Sequence, residues 1–327
     1  MSCLFSFNRH IIMKDMITIQ RYTSDRQPIW DAFVQTAKNS SFQHLRAYMD
    51  YHNNRFADYS LMAYSGDEPV ALLPANRVGD VVYSHQGLTY GGWVMPLKHF
   101  NVVVMLQVMD AALNFMRADG VTTLYYKPMP HIYHSYPAEE DLYALFRCGA
   151  ELAATNVSTT IDLQHPLPFN TGAKSSVSVA RREGVTIAES DGFAGYWAVL
   201  TDLLERRYNT RPVHTLAEIM QLKTSFPDNI RLYTATSDGE LLGGIVMYFV
   251  GQVAHSQYTA ATPQGWEKRV IPAIYNHIIS HECASMRYLD FGTSNEDSGR
   301  YLNEGLVLQK CGMGGRAIVY QTFKVTL

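Results

Sequence analysis

The sequence predicts an α+β fold of two tandem domains, each a mostly antiparallel meander of strands with crossover helices, so that α and β elements share mixed sheets. Three observations carry this. The chain has 327 residues, and single cores rarely grow past ~250 to 300 residues. Apolar runs of strand length follow one another across glycine-containing turns and then give way to one long helical pattern. The same plan returns roughly 170 residues later, as expected of two related domains.

Taken in order, Ile17 to Tyr22 reads as a strand and Pro28 to Lys38 as a helix, with Trp30, Phe33, Val34 and Ala37 at helical spacing. Phe42, Leu45, Tyr48, Met49 and His52 suggest a second helix. Strands follow at Tyr59 to Tyr64, Val70 to Asn76 and Val81 to His85, separated by Ser65-Gly66-Asp67-Glu68 and by Gly79-Asp80. A helix from Phe100 to Ala118, closed by Asp119-Gly120, leads to a strand from Val121 to Tyr126. The second copy runs through Ile230 to Thr236, Leu241 to Phe249, Val253 to Thr259, a helix from Glu267 to Ala284 and a strand ending at Phe291. Gly79-Asp80-Val81 answers Gly251-Gln252-Val253, and Ser84-His85-Gln86 answers His255-Ser256-Gln257.

Between the copies lie a helix with Pro137 in its first turn and Gly149 past its end, and a helix carrying Lys174, Arg181 and Arg182, stopped by Gly184. Pro166 and Pro168 mark the division, near residue 165, between an N-terminal domain, 16–165, and a C-terminal domain, 166–327. A helix from Phe193 to Arg207 and one opened by the capping box Thr215-Leu216-Ala217-Glu218 flank a basic loop. In that loop Arg206, Arg207, Tyr208, Asn209, Arg211 and His214 form a cationic, hydrogen-bonding patch suited to phosphate or carboxylate. The alternative is a solvated helix end whose arginines complement the dipole.

Apolar residues at 47% and charged residues at 17% describe a globular chain with a large core. A net charge of -3 argues against bulk nucleic-acid electrostatics while leaving room for a local basic groove. Cys3, Cys148, Cys283 and Cys311 show neither CxxC nor zinc spacing and read as free thiols. With no signal-peptide run in residues 1–15 and no apolar stretch of membrane length, a cytoplasmic protein is expected, residues 1–15 being a disordered or non-native start before Met16. The pairs His277/His281 and His131/His134 fit no HExxH pattern, so no metal is expected. P-loop, dinucleotide fingerprint and GxSxG elbow are missing.

The densest run of chemistry lies near the end, RYLDFGTSNEDSGRYLNEGLVLQKCGMGGR from Arg287 to Arg316. It reads as a strand through Phe291, a polar glycine-rich loop, and a last strand through Ile318, Val319, Tyr320 and Phe323. Its residues Asp290, Phe291, Gly292, Gly305, Leu306, Lys310 and Gly312 resemble the carboxy-terminal half of the Fem-type (FemABX-like) branch of the GNAT acyltransferase superfamily.

That resemblance implies tandem GNAT-like domains and direct transfer of an acyl or aminoacyl group to an amine on a cell-envelope sugar or peptide precursor. It puts the active site where the fourth and fifth strands of the second domain splay apart, at His255 to Ala260 and Leu289 to Ser294. It implies Tyr258 as proton donor, Asp290 or His255 as proton acceptor or orienter, and Lys310 as an oxyanion or phosphate ligand. Arg207, Tyr208, Asn209, Arg211, His214, Gln257, Ser294, Asn303 and Arg316 are the expected substrate contacts. Read without it, Tyr258 is a buried strand aromatic, Asp290 a cap for its own turn and Lys310 a surface charge, although glycine-rich backbone around Lys310 favours function there. The stretch Ala261 to Arg269 lacks the Gln/Arg-x-x-Gly-x-Gly/Ala turn with which acyl-coenzyme A enzymes of the superfamily bind pyrophosphate, as Fem-type ligases also do. No tightly bound cofactor is expected, and acyl-coenzyme A and aminoacyl-tRNA both stand as donors. A catalytically silent module binding an anionic ligand or partner is the competing expectation.

Overall fold

A computed structural model describes residues 16–327, so the expected disordered start at 1–15 lies outside the described residues. In chain order the elements are β1 (Ile17–Arg21), α1 (Gln27–Thr36), α2 (Arg46–Met49), β2 (Leu61–Ser65), β3 (Glu68–Leu73), β4 (Asn76–Val78), β5 (Val81–Tyr83), α3 (Val102–Ala118), β6 (Thr123–Tyr126), α4 (Glu140–Arg147) and β7 (Glu151–Asp162). Then come α5 (Thr171–Arg182), β8 (Thr186–Glu189), α6 (Phe193–Tyr208), α7 (Leu216–Ser225), β9 (Ile230–Ser237), β10 (Glu240–Val250) and β11 (Val253–Ala261). The last are α8 (Pro263–Glu267), α9 (Val270–His281), β12 (Tyr288–Thr293), β13 (Asn295–Glu296), β14 (Tyr301–Leu302), α10 (Glu304–Gly312) and β15 (Arg316–Thr326).

The chain forms two compact units, one of residues through Ser40, 52–151 and 323–327, the other of 41–51 and 152–322. The sequence puts the division near residue 165; the backbone groups 152–165 with the second unit because β7 pairs with β12.

In the first unit, β1, β2 and β3 form an antiparallel sheet. Pro74, which lacks an N–H, follows β3, and the strand expected from Val70 to Asn76 breaks there into β3 and β4. β4 and β5 make the expected hairpin, and β5 lies parallel to β6 through the crossover helix α3. Asn101 caps α3 by accepting from the N–H groups of Val103 and Val104. The helix buries Val104, Met105, Val108, Met109, Ala112 and Met116, the stripe that a 3.6-residue period places on one face.

In the second unit the strand order is β15-β7-β12-β11-β10-β9-β8. β9, β10 and β11 are the antiparallel meander, and β11 lies parallel to β12 through α8 and α9. Each unit therefore holds a parallel pair closed by a helical crossover. The pairing aligns Val81–Tyr83 with Val253–His255, so Ser84 matches Ser256, one place from the alignment that sequence suggests. The helix expected at 267–284 is broken at Arg269, which takes a left-handed φ of 56° between α8 and α9. That expected at 42–52 is a chain of short turns around α2. The core gathers Ile161, Tyr233, Ile245, Met247, Ile274, Leu289 and Phe291, which fixes the face of the sheet from which the site residues emerge.

Candidate active site

β11 and β12 are paired at only three steps, Val253↔Tyr288, Ala254↔Leu289 and His255↔Asp290, and then part. Two local features accompany the parting. In β11 the register against β10 slips between Val246/Met247, so Gln257 is an extra residue in a bulge. In β12, Gly292 has φ 76°, a conformation that a side chain disfavours.

Asp290, 0% exposed, lies at the fork. Its Oδ1 accepts from Ser158 Oγ at 2.5 Å, Thr160 Oγ1 at 3.0 Å and the Gly292 N–H at 3.2 Å. Its Oδ2 accepts from His255 Nδ1 at 2.9 Å and Tyr320 OH at 2.6 Å. Burial pushes the carboxyl's pKa up, but the His255 bond and charge, with those from Ser158 and Tyr320, outweigh it and hold the group well below the usual carboxylate range. An ionised carboxylate accepts only, so the Nδ1 of His255 is the donor in this pair. Asp290 is thus more than a cap for its own turn: it fixes the Nδ1 of His255 as a donor.

A second pair stands on the same strand beyond the bulge. The Tyr258 hydroxyl lies 2.5 Å from His214 Nδ1, and the His214 N–H reaches the same oxygen at 3.4 Å. Trp197 donates its indole N–H to the His214 carbonyl at 3.2 Å, and Tyr51 stacks on the imidazole at 5.4 Å between ring centroids. Burial pushes the Tyr258 phenol's pKa up, which keeps it protonated.

Lys310 departs from expectation. The glycine-rich run, read as a loop, contains helix α10, opened by Asn303, whose side chain accepts from the Leu306 N–H. Lys310 on this helix is 6% exposed, and its ammonium donates to Gly292 O at 2.8 Å, Thr293 O at 2.9 Å and Ser294 Oγ at 2.9 Å. All three hydrogens are spent, so the group is neither a surface charge nor open to an oxyanion or phosphate; it fastens the end of β12. Burial lowers its pKa to about 8, against the raising effect of Asp290.

The remaining expected contacts divide. Ser294 belongs to the Lys310 cluster and His214 to Tyr258, while Asn303 caps α10 and Arg316 donates to its neighbour Gly315 O. In the basic loop Arg206 pairs with Asp202, and Arg211, its side chain 81% exposed, pairs with Glu205 at 2.7 Å. Asn209 ends α6 with φ 48°; the side chain of Tyr208 lies outside the described residues. The helix's own carboxylates therefore answer two of the three arginines. Arg207 instead lines a cavity of about 400 Å³ with Leu203, Arg206, Ala261, Pro263, Trp266 and Gln309. Among the described residues no group of three His, Cys, Asp or Glu is placed to hold a metal ion.

Sequence reading missed Ser158, Thr160 and Tyr320. The alternation in β7 carries a signal, since residues two apart point to one face and a serine and threonine so placed mark a polar position inside the sheet.

Residues 174–301 match the acetyltransferase (GNAT) domain family. The second half of the chain thus carries a GNAT domain. Its GNAT domain holds Asp290, His255, Tyr258 and His214, while Lys310 and Tyr320 follow the matched span. FemX has the same fold over 94% of this chain and 97% of its own, with a TM-score of 0.68 and 12% identity. The C-terminal domain of a putative lysylphosphatidylglycerol synthetase from Agrobacterium fabrum is similar over 86% of this chain and 90% of its own, with a TM-score of 0.56 and 11% identity. A tandem GNAT protein from the clavulanic acid biosynthesis pathway is similar over 95% and 98%, with a TM-score of 0.50 and 12% identity. These likenesses bear out the α+β fold of tandem GNAT-like domains. No curated protein matches the chain in sequence, and no helix among the described residues is long and apolar enough to cross a membrane.

Proposed function

We propose that the C-terminal unit transfers an acyl or aminoacyl group to an amine on a cell-envelope sugar or peptide precursor, with His255 as general base. The observation that carries this is the Asp290–His255 pair at the last register step before β11 and β12 part. Parted strands expose backbone N–H and C=O groups that hold an acyl donor and its acceptor in line.

In the reaction the amine nitrogen bonds to the acyl carbon, and the bond from that carbon to the carrier breaks. The amine proton passes to His255 Nε2, and the Asp290 carboxylate stabilises the resulting imidazolium. Tyr258 gives its phenolic proton to the departing carrier atom; the proton taken up by His255 balances it, and exchange with solvent restores both groups.

Two features favour an aminoacyl-tRNA ester over a coenzyme A thioester. At the start of α8 the N–H groups of Thr262, Gly265 and Trp266 are bonded to Leu242 O, Thr262 Oγ1 and Thr262 O, and Pro263 has none, which leaves little for a pyrophosphate. The cavity beside it offers Arg207 and Trp266, a cation and an aromatic face of the kind that take a phosphate and a base. That one fold neighbour is a putative lysylphosphatidylglycerol synthetase is consistent with aminoacyl transfer.

The test is transfer of label from charged tRNA or acetyl-coenzyme A to amine-bearing precursors, by wild type and His255→Ala. Transfer by wild type that falls at least ~100-fold in the variant supports the reading; undiminished transfer in the variant, or none from either donor, sinks it and leaves the silent module.

A further inference from the structure

A second cavity, of about 450 Å³, lies between the segment 166–169, α5 and α9. We infer that it is a binding site for a single alkyl chain with an anionic end, such as a fatty carboxylate. Its walls are Ile161, Phe169, Val177, Ile279 and Met313, and its size falls within the roughly 300–1,000 Å³ usual for small-ligand pockets. Such a surface favours hydrocarbon over water.

The cavity is preformed. Pro166 and Pro168 stiffen its outer wall, and that wall is pinned to the turn after α10. The Asn170 N–H donates to Gly312 O at 2.8 Å. A Cβ at Gly314 would stand 2.4 Å from Leu167 O and one at Gly312 2.8 Å from Asn170 Nδ2, so both glycines are what let the wall close down.

The head group follows from charge. Lys174, exposed at the lip with Ser178 and Asn276, makes no ion pair with any described residue. Asp162, the chain neighbour of the lining residue Ile161, is engaged by its own turn, accepting from the Gln164 N–H at 3.0 Å and lying 3.4 Å from His165 Nδ1. An anion is therefore drawn to this lip and a cation is not.

Calorimetric titration of the full chain with octanoate, decanoate and decyltrimethylammonium, all below their micelle concentrations, tests this. Decanoate should bind, with affinity rising about fourfold per methylene from octanoate, and decyltrimethylammonium should bind about fivefold more weakly than decanoate. Lys174→Glu, an exposed change that leaves the fold intact, should reverse the order of the two head groups. Val177→Trp, which fills the cavity, should abolish both while circular dichroism stays unchanged. Equal affinity for the two head groups, binding that survives Val177→Trp, or no decanoate binding by titration and by methyl shifts of Val177 and Ile279 would overturn the assignment. The transfer assay plays no part in the measurement, so this site and the catalytic reading fail separately.

Discussion

The Asp290 carboxylate and the His255 imidazole meet at 2.9 Å on the last paired residues of two strands that then separate. Replacing Asp290 with Asn offers His255 an amide that can donate as well as accept, which removes the demand for a proton on Nδ1. We expect kcat to fall by about 10³ to 10⁴ while substrate affinity holds, and stability to fall by about 1–3 kcal/mol as a buried network loses its acceptor. Because the folded pKa is depressed, this stabilisation is present above about pH 4, the ordinary carboxylate value, and is lost as pH falls further. Denaturant midpoints of the two proteins should thus converge below pH 4; a gap that stays constant into acid would contradict an ionised Asp290.

Tyr258→Phe removes the hydroxyl held by His214 and little else. Turnover should fall about 10² to 10⁴-fold if the phenol donates to the leaving group, with a stability change of about 1 kcal/mol. Rate constants with an ester donor and with one whose leaving group needs no proton distinguish the roles. Equal losses on both would make Tyr258 a packing residue against Trp197.

Much of the fold was legible because period-2 and period-3.6 patterns, the Thr215–Glu218 box and the Gly79-Asp80 turn are local signals. Lys310 was misread because a glycine-rich stretch suggests loop, whereas the cap Asn303 and the acidic first-turn Glu304 specify a helix. Sequence order brought His255 near Tyr258, but Ser158, Thr160 and Tyr320 reach Asp290 from strands 132, 130 and 30 residues away, and only strand pairing brings them in. The three arginines of the basic loop looked alike; Asp202, one helical turn before Arg206, and Glu205, six residues before Arg211, decide which are already answered.

Lys310→Met tests the fastening of β12. It leaves the carbonyls of Gly292 and Thr293 and the Ser294 hydroxyl without their donor, which should cost about 1–3 kcal/mol and loosen the strand end that carries Asp290. The pH dependence has a definite sign. A lysine depressed to about 8 releases its proton in the folded state before the unfolded state does, so wild-type stability relative to Lys310→Met should rise between about pH 8 and pH 10.5. Chemical denaturation across that range checks it, and a difference that falls with pH would mean that the ammonium is not desolvated.

Gly265 in α8 makes a sharper test, because helix propensity and packing oppose each other there. Alanine is favoured over glycine by about 1 kcal/mol within a helix, yet a Cβ on Gly265 would stand 2.0 Å from Leu242 O and 3.2 Å from the Ala261 Cβ. The first of these is backbone and cannot rotate away, so α8 would have to lift from the edge of β10. Gly265→Ala should therefore destabilise the protein by about 1–3 kcal/mol, as overpacking does. Since Ala261, Pro263 and Trp266 line the cavity beside Arg207, the same shift should also weaken donor binding. Gly172→Ala in α5, where the nearest atom is Asn170 Oδ1 at 3.5 Å, is the control and should be neutral or slightly stabilising. Thermal unfolding of both variants decides the matter: if Gly265→Ala melts with wild type, α8 is not seated on Leu242, and the cavity wall it forms is not fixed by that contact.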